Sequence, residues 1–218
     1  SMREIGAWVF DEAHCLSKWG HDFRPDYLYA ARFVRELQGE NTAPIVCVTA
    51  TAKQEVRDEI LQHFRDELGQ ELLVFDGHAP RANLTLKVEA VTKAEKLPRL
   101  RELVAAQLVA DPTGSVLVYT ATRGNADLTA KLLLEVGIEA AAFHAGLDAP
   151  LKKKVQEAFL HGQPRVVCAT NAFGMGIDKP DIRLVVHFDL PGSLEAYVQE
   201  VGRAGRDGNP ANALLLFV

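Results

Sequence analysis

Short apolar runs alternate with longer amphipathic stretches along almost the whole chain. Apolar runs bounded by Gly, Pro, Asn or Asp are typical of buried strands, and apolar residues spaced three or four positions apart are typical of helices. Strands that alternate with helices predict parallel sheets with helices on both faces. The sequence therefore predicts an α/β fold.

The first part of the chain predicts three strands and two helices. The stretch DGHAPRAN, residues 76–83, then breaks the alternation with Gly, Pro and Asn and predicts a linker. We therefore divide the chain into a first domain of residues 1–76, a linker of residues 77–83 and a second domain of residues 84–218. The predicted elements of the first domain are strands IGAWVF, PIVCVTA and ELLVF and helices over 26–38 and 53–68.

The second domain predicts six strands and four helices in alternation. The predicted strands are LTLKVEAV, SVLVYTA, AAAFHAG, RVVCAT, RLVVHF and NALLLFV. The predicted helices lie near 94–110, 124–136, 150–160 and 194–204.

Composition narrows the class of protein. A chain of 218 residues with 48% hydrophobic and 24% charged residues is typical of a globular protein with one large or two modest domains. No apolar run approaches the roughly 20 residues that span a bilayer, and no signal peptide opens the chain. We therefore expect no membrane partner. We expect an intracellular location, in the cytoplasm or nucleoid, or in the nucleus if the organism is eukaryotic. Three separated cysteines, without CxxC spacing, indicate neither a disulfide framework nor a zinc site. The net charge of -5 means that any nucleic-acid site must be local.

The motif DEAH follows the first apolar strand. Ligands gather at the carboxyl ends of parallel strands, and nucleotide hydrolysis needs one carboxylate for Mg²⁺ and a second group to orient water. Asp11 suits the first role and Glu12 the second. The alternative is a polar strand end with a helix-capping Asp. His14 is either a surface histidine or a relay between the nucleotide and neighbouring loops.

The motif TATA, residues 49–52, ends the next strand with the hydroxyls of Thr49 and Thr51. These hydroxyls could bond to the first loop and couple two sites. The motif could equally be a strand end followed by a helix cap.

Two arginines, Arg203 and Arg206, stand beside glycines in QEVGRAGRDG. Arginines placed against a γ-phosphate stabilise charge that grows in the transition state. The alternative is a basic helix end with a glycine stop, an arrangement common in proteins.

Three further strand ends carry groups that suit anions. ATNAFGMGIDKPD offers the Thr170 hydroxyl to a phosphate and Asp178 to a ribose hydroxyl, YTATRGNAD places Thr120, Thr122 and Arg123 before a helix, and HAG adds residues 144–146. Each could be a plain strand-to-helix connection. Together they could follow a sugar-phosphate backbone.

The loop KWGHDFRP places aromatic residues directly after the acidic motif. Exposed Trp19 and Phe23 could stack on unpaired bases for about 1–3 kcal/mol each, and Arg24 would add charge. The alternative is that both rings pack the loop onto its own domain.

Taken in order, DEAH, TATA, YTATR, FHAGL, ATNAFGMGIDKPD and QEVGRAGRDG resemble the motif series of superfamily 2 helicases over nearly the whole chain. DEAHCLSKWGHDFRPDY, FGMGIDKPDIRLVVHFDLP and YVQEVGRAGRDG resemble the RecQ DNA helicases in particular. The resemblance implies two RecA-like lobes with ATP between them, contact with single-stranded and duplex DNA, 3′ to 5′ unwinding, and a role in DNA repair or recombination.

The resemblance also implies residue roles. Asp11 would hold Mg²⁺, Glu12 would activate water, and Arg203 and Arg206 would face the γ-phosphate. Gly176, Asp178 and Gln199 would be further nucleotide contacts. The implied DNA-binding or coupling residues are His14, Trp19, His21, Phe23, Arg24, Thr49, Thr51, Thr122, Arg123 and Thr170.

Two departures from the resembled family matter. No G-x-x-x-x-G-K-[ST] phosphate loop occurs in the sequence, and the family's cysteine-ligated zinc region is absent from it. We therefore expect a first lobe truncated on its N-terminal side, an essentially complete second lobe, little ATP hydrolysis by these residues alone, and self-association through the first lobe. The rival hypotheses are a non-catalytic nucleic-acid-binding module and an RNA helicase of the wider superfamily.

Overall fold

The computed structural model describes residues 5–17, 23–39, 43–49, 53–77, 81–174 and 177–218. The chain divides into two compact units, Ser1–Ala79 and Pro80–Val218. Both are built from parallel strands and helices, so the predicted α/β class is confirmed. No helix in the described ranges is long and apolar enough to cross a membrane.

The first unit pairs two short parallel strands and packs helices against one side of them. Trp8 lies opposite Ile45, Val9 opposite Val46, and Phe10 opposite Cys47. Phe10 and the buried residues of both helices, among them Val34 and Phe64, form the core of this unit. Its elements are β1 (Trp8–Phe10), a short 3-10 helix (Ala13–Leu16), α1 (Pro25–Gln38), β2 (Ile45–Cys47) and α2 (Gln54–Leu68).

The prediction of a third strand at ELLVF is wrong. Residues 71–75 have no strand structure, and Leu73 and Phe75 are 82% and 89% exposed. A strand needs a neighbour that accepts and donates its backbone hydrogen bonds, and among the described residues only β1 and β2 pair in this unit. An apolar run alone does not supply that neighbour.

The second unit is a six-stranded sheet in which every pair of neighbouring strands is parallel. The strand order is β3-β8-β7-β4-β6-β5. Its strands are β3 (Leu84–Ala90), β4 (Ser115–Tyr119), β5 (Ala140–Phe143), β6 (Val166–Ala169), β7 (Ile182–His187) and β8 (Ala211–Phe217). Its helices are α3 (Lys96–Ala110), α4 (Arg123–Glu135), α5 (Ala149–Leu160) and α6 (Leu194–Val201).

Helices cover both faces of this sheet. On β4, Val116 and Val118 point into one core cluster, which also contains residues of α3 and α4. Leu117 and Tyr119 point into the other, which contains residues of α5 and α6. Strands buried on both faces are apolar at every position rather than at alternate ones, which is why their runs were conspicuous in the sequence.

All six strands and four helices predicted for this unit are present, with bounds shifted by a few residues. The largest differences are at α6, which we expected to reach Ala204 and which ends at Val201, and at the strand AAAFHAG, which we expected to reach Gly146 and which ends at Phe143. Gly202 closes the helix, and residues 202–208 form turns in which Gly205 has a φ of 57°. Beyond Val201 the backbone hydrogen bonds change from the i→i−4 to the i→i−3 pattern, since Arg203 N donates to the Glu200 carbonyl and Ala204 N to the Val201 carbonyl, so the α-helix ends there.

Candidate functional site

An acidic loop (residues 11–17) leaves the carboxyl end of β1. Asp11 is exposed, and one of its carboxylate oxygens accepts a hydrogen bond of 2.9 Å from Glu12 N. The Tyr27 hydroxyl donates to the Asp11 carbonyl over 2.9 Å and ties the start of the loop to α1. The loop thus presents a fixed carboxylate at the strand end where ligands of parallel sheets gather.

Glu12 has a left-handed backbone conformation, with φ 51° and ψ 45°. Among the described residues it is the only non-glycine with positive φ. Such a conformation costs about 1–3 kcal/mol in a non-glycine residue and clusters at functional sites. The fold therefore holds the second acidic residue in place at an energetic cost.

The acidic loop is joined to the end of β2. His14 is buried, and its Nδ1 lies 3.0 Å from Thr49 Oγ1 and 3.3 Å from Glu12 Oε2. Ala13 N donates to the Val48 carbonyl over 3.0 Å. A shift of either strand end would therefore be felt at Glu12 through His14. Thr51 lies outside the described residues.

The aromatic-rich loop is described only in part. Trp19 and His21 lie outside the described residues, whereas Phe23 is half-buried and Arg24 is exposed. Arg24 N donates to the Cys15 carbonyl over 2.9 Å. The end of this loop is thus fastened to the acidic loop.

An arginine turn (residues 202–209) follows α6. Arg203 is 6% exposed and packs against Gly174, where an added Cβ would lie 2.9 Å from Arg203 Nη2. Burial raises the pKa of the adjacent Tyr119, so its hydroxyl stays protonated and donates to the Phe173 carbonyl over 3.0 Å. Arg203 Nε is buried and has no hydrogen-bond partner among the described residues. Leaving a buried donor unsatisfied costs about 1–3 kcal/mol, so such a group in a native protein needs an explanation, and a catalytic role is one.

Arg206, the second arginine of the turn, is partly exposed and pairs with Asp178. Its Nη1 lies 2.9 Å from Asp178 Oδ1 and 3.4 Å from the Ile177 carbonyl. The structure thus brings together two residues that the sequence assigned separately to phosphate and ribose. Gly176 lies outside the described residues, and Gln199 is exposed on α6.

A buried histidine–glutamate pair supports the same helix and was missed in the sequence. His187 Nε2 lies 2.8 Å from Glu200 Oε2, and both residues are buried. The His187 ring stacks on Tyr119 at 5.5 Å and contacts Tyr197 at 4.9 Å. Glu200 lies one helical turn before Arg203, so the pair fixes the end of α6 to the end of β7. No sequence signal links two residues 13 positions apart.

A row of polar residues lines the carboxyl edge of β4, β6 and β5. Tyr119 and Phe143 both lie in register with Ala169, so the residues that follow them stand side by side. These following residues are Thr120, His144 and Thr170, all of them buried.

The residues that begin α4 lie at this edge as well. Thr122 is the N-cap of α4, and its hydroxyl accepts a hydrogen bond of 3.1 Å from Asn125 N. Arg123 is the first residue of the helix and is exposed. The hydroxyl that the sequence assigned to a nucleic-acid phosphate therefore also has a structural partner.

Two acidic residues at this edge were missed in the sequence. Asp127 Oδ1 lies 3.0 Å from His144 Nε2, and Gly146 N donates to His144 Nδ1 over 3.2 Å, which places the proton of a neutral ring on Nε2. Asp189 accepts from Ala121 N, Asn125 and Lys96. Burial opposes ionisation of Asp189, but these hydrogen bonds outweigh it and lower its pKa. Both contacts join residues distant in sequence.

The donor set suits Mg²⁺ only as a partner of a nucleotide. No group of three or more His, Cys, Asp or Glu within the described ranges is arranged to hold a metal ion. Mg²⁺ is usually bound by one or two carboxylates together with substrate phosphates and water. The exposed carboxylate of Asp11 fits that role.

Comparison with known proteins identifies the family. The family described as "Helicase conserved C-terminal domain" matches residues 95–208, and "DEAD/DEAH box helicase" matches residues 1–59. Over 97% of its length the chain is 41% identical to the probable ATP-dependent DNA helicase RecS of Bacillus subtilis. Over 96% it is 40% identical to the ATP-dependent DNA helicase RecQ of Haemophilus influenzae, and over 98% it is 39% identical to the RecQ-like DNA helicase blm-1 of Caenorhabditis elegans. The chain belongs to the RecQ family of helicases.

The predicted resemblance to RecQ helicases is thereby confirmed. The chain spans less than half the length of these relatives: 41% of RecS, 32% of RecQ and 21% of blm-1. The activity of a whole RecQ protein is therefore a matter for proposal.

Solved structures confirm the RecA-like helicase fold. Saccharomyces cerevisiae Dbp5 bound to RNA and ADP BeF3 superposes with a TM-score of 0.74 at 23% identity, over 99% of this chain and 54% of that one. Mycobacterium smegmatis helicase Lhr bound to ssDNA and AMP-PNP gives 0.75 at 21% identity, over 97% and 28%. Identities this low show the fold alone.

Proposed function

We propose that this chain forms part of the motor of an ATP-dependent DNA helicase of RecQ type, which unwinds DNA in the 3′ to 5′ direction during repair or recombination. The observation that carries the proposal is the acidic loop, which sets Asp11 and Glu12 at a strand end and holds Glu12 in a left-handed conformation. The relatives that share this stretch are named as ATP-dependent DNA helicases. Such a protein acts where DNA is, in a nucleoid or a nucleus.

The two carboxylates divide the chemistry. Asp11 would hold the Mg²⁺ of bound ATP, which neutralises charge on the β- and γ-phosphates. Glu12 would orient the attacking water and accept its proton. Its left-handed backbone and the 3.3 Å contact between Glu12 Oε2 and His14 Nδ1 hold that carboxylate near the strand end before substrate binds, which reduces the reorganisation needed at the transition state.

The arginines would stabilise charge on the γ-phosphate, with different freedom to move. Arg206 is paired with Asp178, whose side chain is 84% exposed, and an exposed ion pair contributes only about 0–1 kcal/mol. A phosphate can therefore replace Asp178 as its partner, and Asp178 would then be available to a ribose hydroxyl. Arg203 is buried against Gly174 and would act from a fixed position, with its unsatisfied Nε as a spare donor.

DNA would be bound at the carboxyl edge of the second sheet and at the aromatic-rich loop. Arg123 supplies charge, and the Thr122 and Thr170 hydroxyls supply hydrogen bonds to phosphates. Phe23 and Arg24, with Trp19 and His21, would report bound DNA to the acidic loop, to which Arg24 is fastened. His14, Thr49 and Thr51 would pass the signal between strand ends.

DNA-stimulated ATP hydrolysis by the full-length protein tests the proposal. We expect single-stranded DNA to raise turnover, and Glu12→Gln to lower kcat by about 10²–10⁴-fold while ATP still binds, because a general base contributes about that factor. Glu36→Gln, which makes the same change on the exposed face of α1, is the matched control. If both variants lose turnover, or if neither variant loses turnover, the assignment of Glu12 as the residue that activates water is contradicted. Stimulation by RNA but not by DNA would favour an RNA helicase, and binding without turnover a non-catalytic module.

A polypeptide of only these 218 residues should hydrolyse little or no ATP. It contains no G-x-x-x-x-G-K-[ST] motif, whose backbone amides and lysine hold the β- and γ-phosphates. Phosphate release would be compared with that of the full-length protein. Strong DNA-stimulated turnover by the short polypeptide, lost in Glu12→Gln, would show that a different phosphate site exists.

A further inference from the structure

Two residues at the start of the second unit hold the arginine turn through its backbone carbonyls. Arg81 Nη2 donates to the carbonyls of Ala204 and Gly205, both at 2.7 Å, and its Nη1 lies 3.4 Å from the carbonyl of Gly202. These carbonyls follow the C-terminus of α6, where the negative end of the helix dipole favours a cation. Arg81 therefore binds the backbone that carries Arg203 and Arg206.

Asn83 completes this arrangement and uses every group of its side chain. Its Nδ2 donates to the carbonyls of Gly205 and Asn209, both at 2.8 Å. Its Oδ1 accepts from Arg81 Nε over 3.3 Å. Only one orientation of the amide fits, because the reverse would point its oxygen at two carbonyl oxygens.

The fit between Asn83 and the turn depends on Gly205. Gly205 has a φ of 57°, and a Cβ added to it would lie 2.6 Å from Asn83 Nδ2 and 2.7 Å from the Asn209 carbonyl. Only glycine allows both the backbone conformation and the close approach. The contact therefore depends both on the Asn83 amide and on a glycine at position 205 of the turn.

The turn is also held through Asp207. The guanidinium of Arg183 pairs with both carboxylate oxygens of Asp207 and contacts Asp111. This pairing lowers the pKa of Asp207. Arg206 lies in the sequence between Gly205, whose carbonyl binds Arg81, and Asp207, whose carboxylate binds Arg183. The Arg206 side chain reaches the exposed Asp178.

We propose that Arg81 and Asn83 are positioning residues for the arginine turn, which fix its backbone so that Arg203 and Arg206 meet the γ-phosphate. The inference rests on the proposed function. Neither residue need touch nucleotide or DNA, since both act through the backbone carbonyls of the turn.

A positioning role predicts a particular kinetic pattern. Contacts to the γ-phosphate that strengthen in the transition state affect kcat more than KM when they are weakened. Displacement of a catalytic group by about 1 Å can cost about 10²-fold in rate. We therefore expect loss of the Arg81 or Asn83 contacts to lower kcat and to leave KM for ATP nearly unchanged.

The test uses the full-length protein and measures DNA-stimulated ATP hydrolysis. Arg81→Ala removes the guanidinium, and Asn83→Asp keeps the side-chain shape but replaces the donor with a carboxylate that repels both carbonyls. We expect each to lower kcat about 10-fold to 100-fold with KM for ATP within about twofold. Arg81→Lys, which retains one donor group, should recover part of the loss. Arg99→Ala is the control, since it removes an arginine of the same unit that pairs with Glu89 and Glu102 instead.

Hydrogen exchange distinguishes positioning from general stability. Gly205 N donates to the Ile182 carbonyl and Gly208 N to the Gly205 carbonyl, so these amides report on the turn. We expect faster exchange at 202–209 in Arg81→Ala and unchanged exchange in β4. Faster exchange throughout the second unit, with kcat, KM and thermal stability all affected, would overturn the positioning role. If Arg81→Ala does not fold, the same measurements on Asn83→Asp and Arg81→Lys test the positioning role.

The remaining outcomes separate the inference from the proposed function. Wild-type turnover that is unchanged in Arg81→Ala and Asn83→Asp would overturn the inference alone. A wild-type protein without DNA-stimulated hydrolysis would overturn the proposed function, and the inference with it.

Discussion

Glu12 is the one non-glycine residue with positive φ in the part of the chain that the structure describes. At an ordinary position an alanine variant is more stable than a glycine variant by about 0.5–1 kcal/mol, because glycine loses more backbone freedom on folding. At φ 51° this order should reverse. We expect Glu12→Gly to be more stable than Glu12→Ala by about 1 kcal/mol. Denaturant unfolding followed by tryptophan fluorescence measures this, since Trp8 and Trp19 both lie in the first unit.

Glu102 provides the matched control for that comparison. It lies within α3, where the backbone is right-handed, so its alanine variant should be the more stable of the pair, as read from circular dichroism. If alanine were also preferred at position 12, the left-handed conformation would not be imposed by the fold.

Asp111 gives the second unit a specific dependence on pH. Hydrogen bonds from Thr113 N and Gly114 N, from the Thr113 hydroxyl and from Arg183 lower its pKa from 3.8 to about 2. A carboxylate with a lowered folded-state pKa stabilises the protein above its unfolded pKa, and this stabilisation is lost as the pH falls through the folded value.

We expect Asp111→Asn to be less stable than wild type by on the order of 1 kcal/mol at pH 6. This difference should shrink between about pH 4 and pH 2, the interval between the unfolded and folded pKa. Urea unfolding followed by circular dichroism at several pH values measures it, with Glu135→Gln as a baseline for loss of an exposed carboxylate. A difference independent of pH would mean that the charge of Asp111 is not what stabilises the fold.

Thr122 joins a structural role to a proposed one. Its hydroxyl caps α4, and it is also a proposed contact to a nucleic-acid phosphate. Aspartate caps a helix as well as threonine does but repels phosphate. Thr122→Ala should therefore lower both stability, by about 1 kcal/mol, and DNA binding, whereas Thr122→Asp should keep stability and lower DNA binding alone.

Chemical unfolding and fluorescence anisotropy with single-stranded DNA at fixed salt separate these effects. Asp148→Ala removes the N-cap of α5, whose carboxylate accepts from Leu151 N, and serves as the control for cap loss. If Thr122→Asp binds DNA with wild-type affinity, Thr122 does not contact a nucleic-acid phosphate and serves only as the N-cap of α4.

The elements of the second unit were predictable because each signal is local. Helices cover both faces of the sheet, so β4, β6 and β7 are buried at every position and contain the continuous apolar runs VLVY, VVCA and LVV. The run at 71–75 has the same composition but lacks a neighbouring strand among the described residues, and no local pattern reveals that. Burial patterns predict strands only where the partner is also present.

The polar contacts of the site were only partly predictable. The motifs gave Asp11, Glu12, Arg203 and Arg206 by their chemistry, and those roles remain predictions. The partners that fix the arginines could not be read from the sequence, because Arg81 lies more than 120 positions from the carbonyls it binds. The same holds for Glu200 and His187, whose pairing depends on how α6 packs against β7. Such contacts follow from topology.

At the scale of the whole molecule, the two faces of the first sheet differ sharply. Trp8, Phe10, Ile45 and Cys47 belong to or pack on the buried cluster. The opposite face, which we call the valine face, carries three side chains that are 65%, 45% and 49% exposed: Val9, Val46 and Val48. Parallel sheets are normally covered on both sides. The exposed Leu73 and Phe75 add to the apolar surface of this unit.

We therefore expect the 218-residue polypeptide to self-associate through its first unit, since apolar patches of this kind mark association surfaces. Its sedimentation coefficient should rise with concentration. The double variant Val9→Thr, Val46→Thr should sediment as a monomer, because threonine keeps the β-branched shape that suits a strand while making the face polar. Val109→Thr changes a valine that is 82% exposed on α3 and should associate as wild type does. A wild-type polypeptide that stays monomeric at high concentration would show that the valine face remains exposed to water and does not drive association. If the double variant and Val109→Thr associate equally, the association surface lies elsewhere.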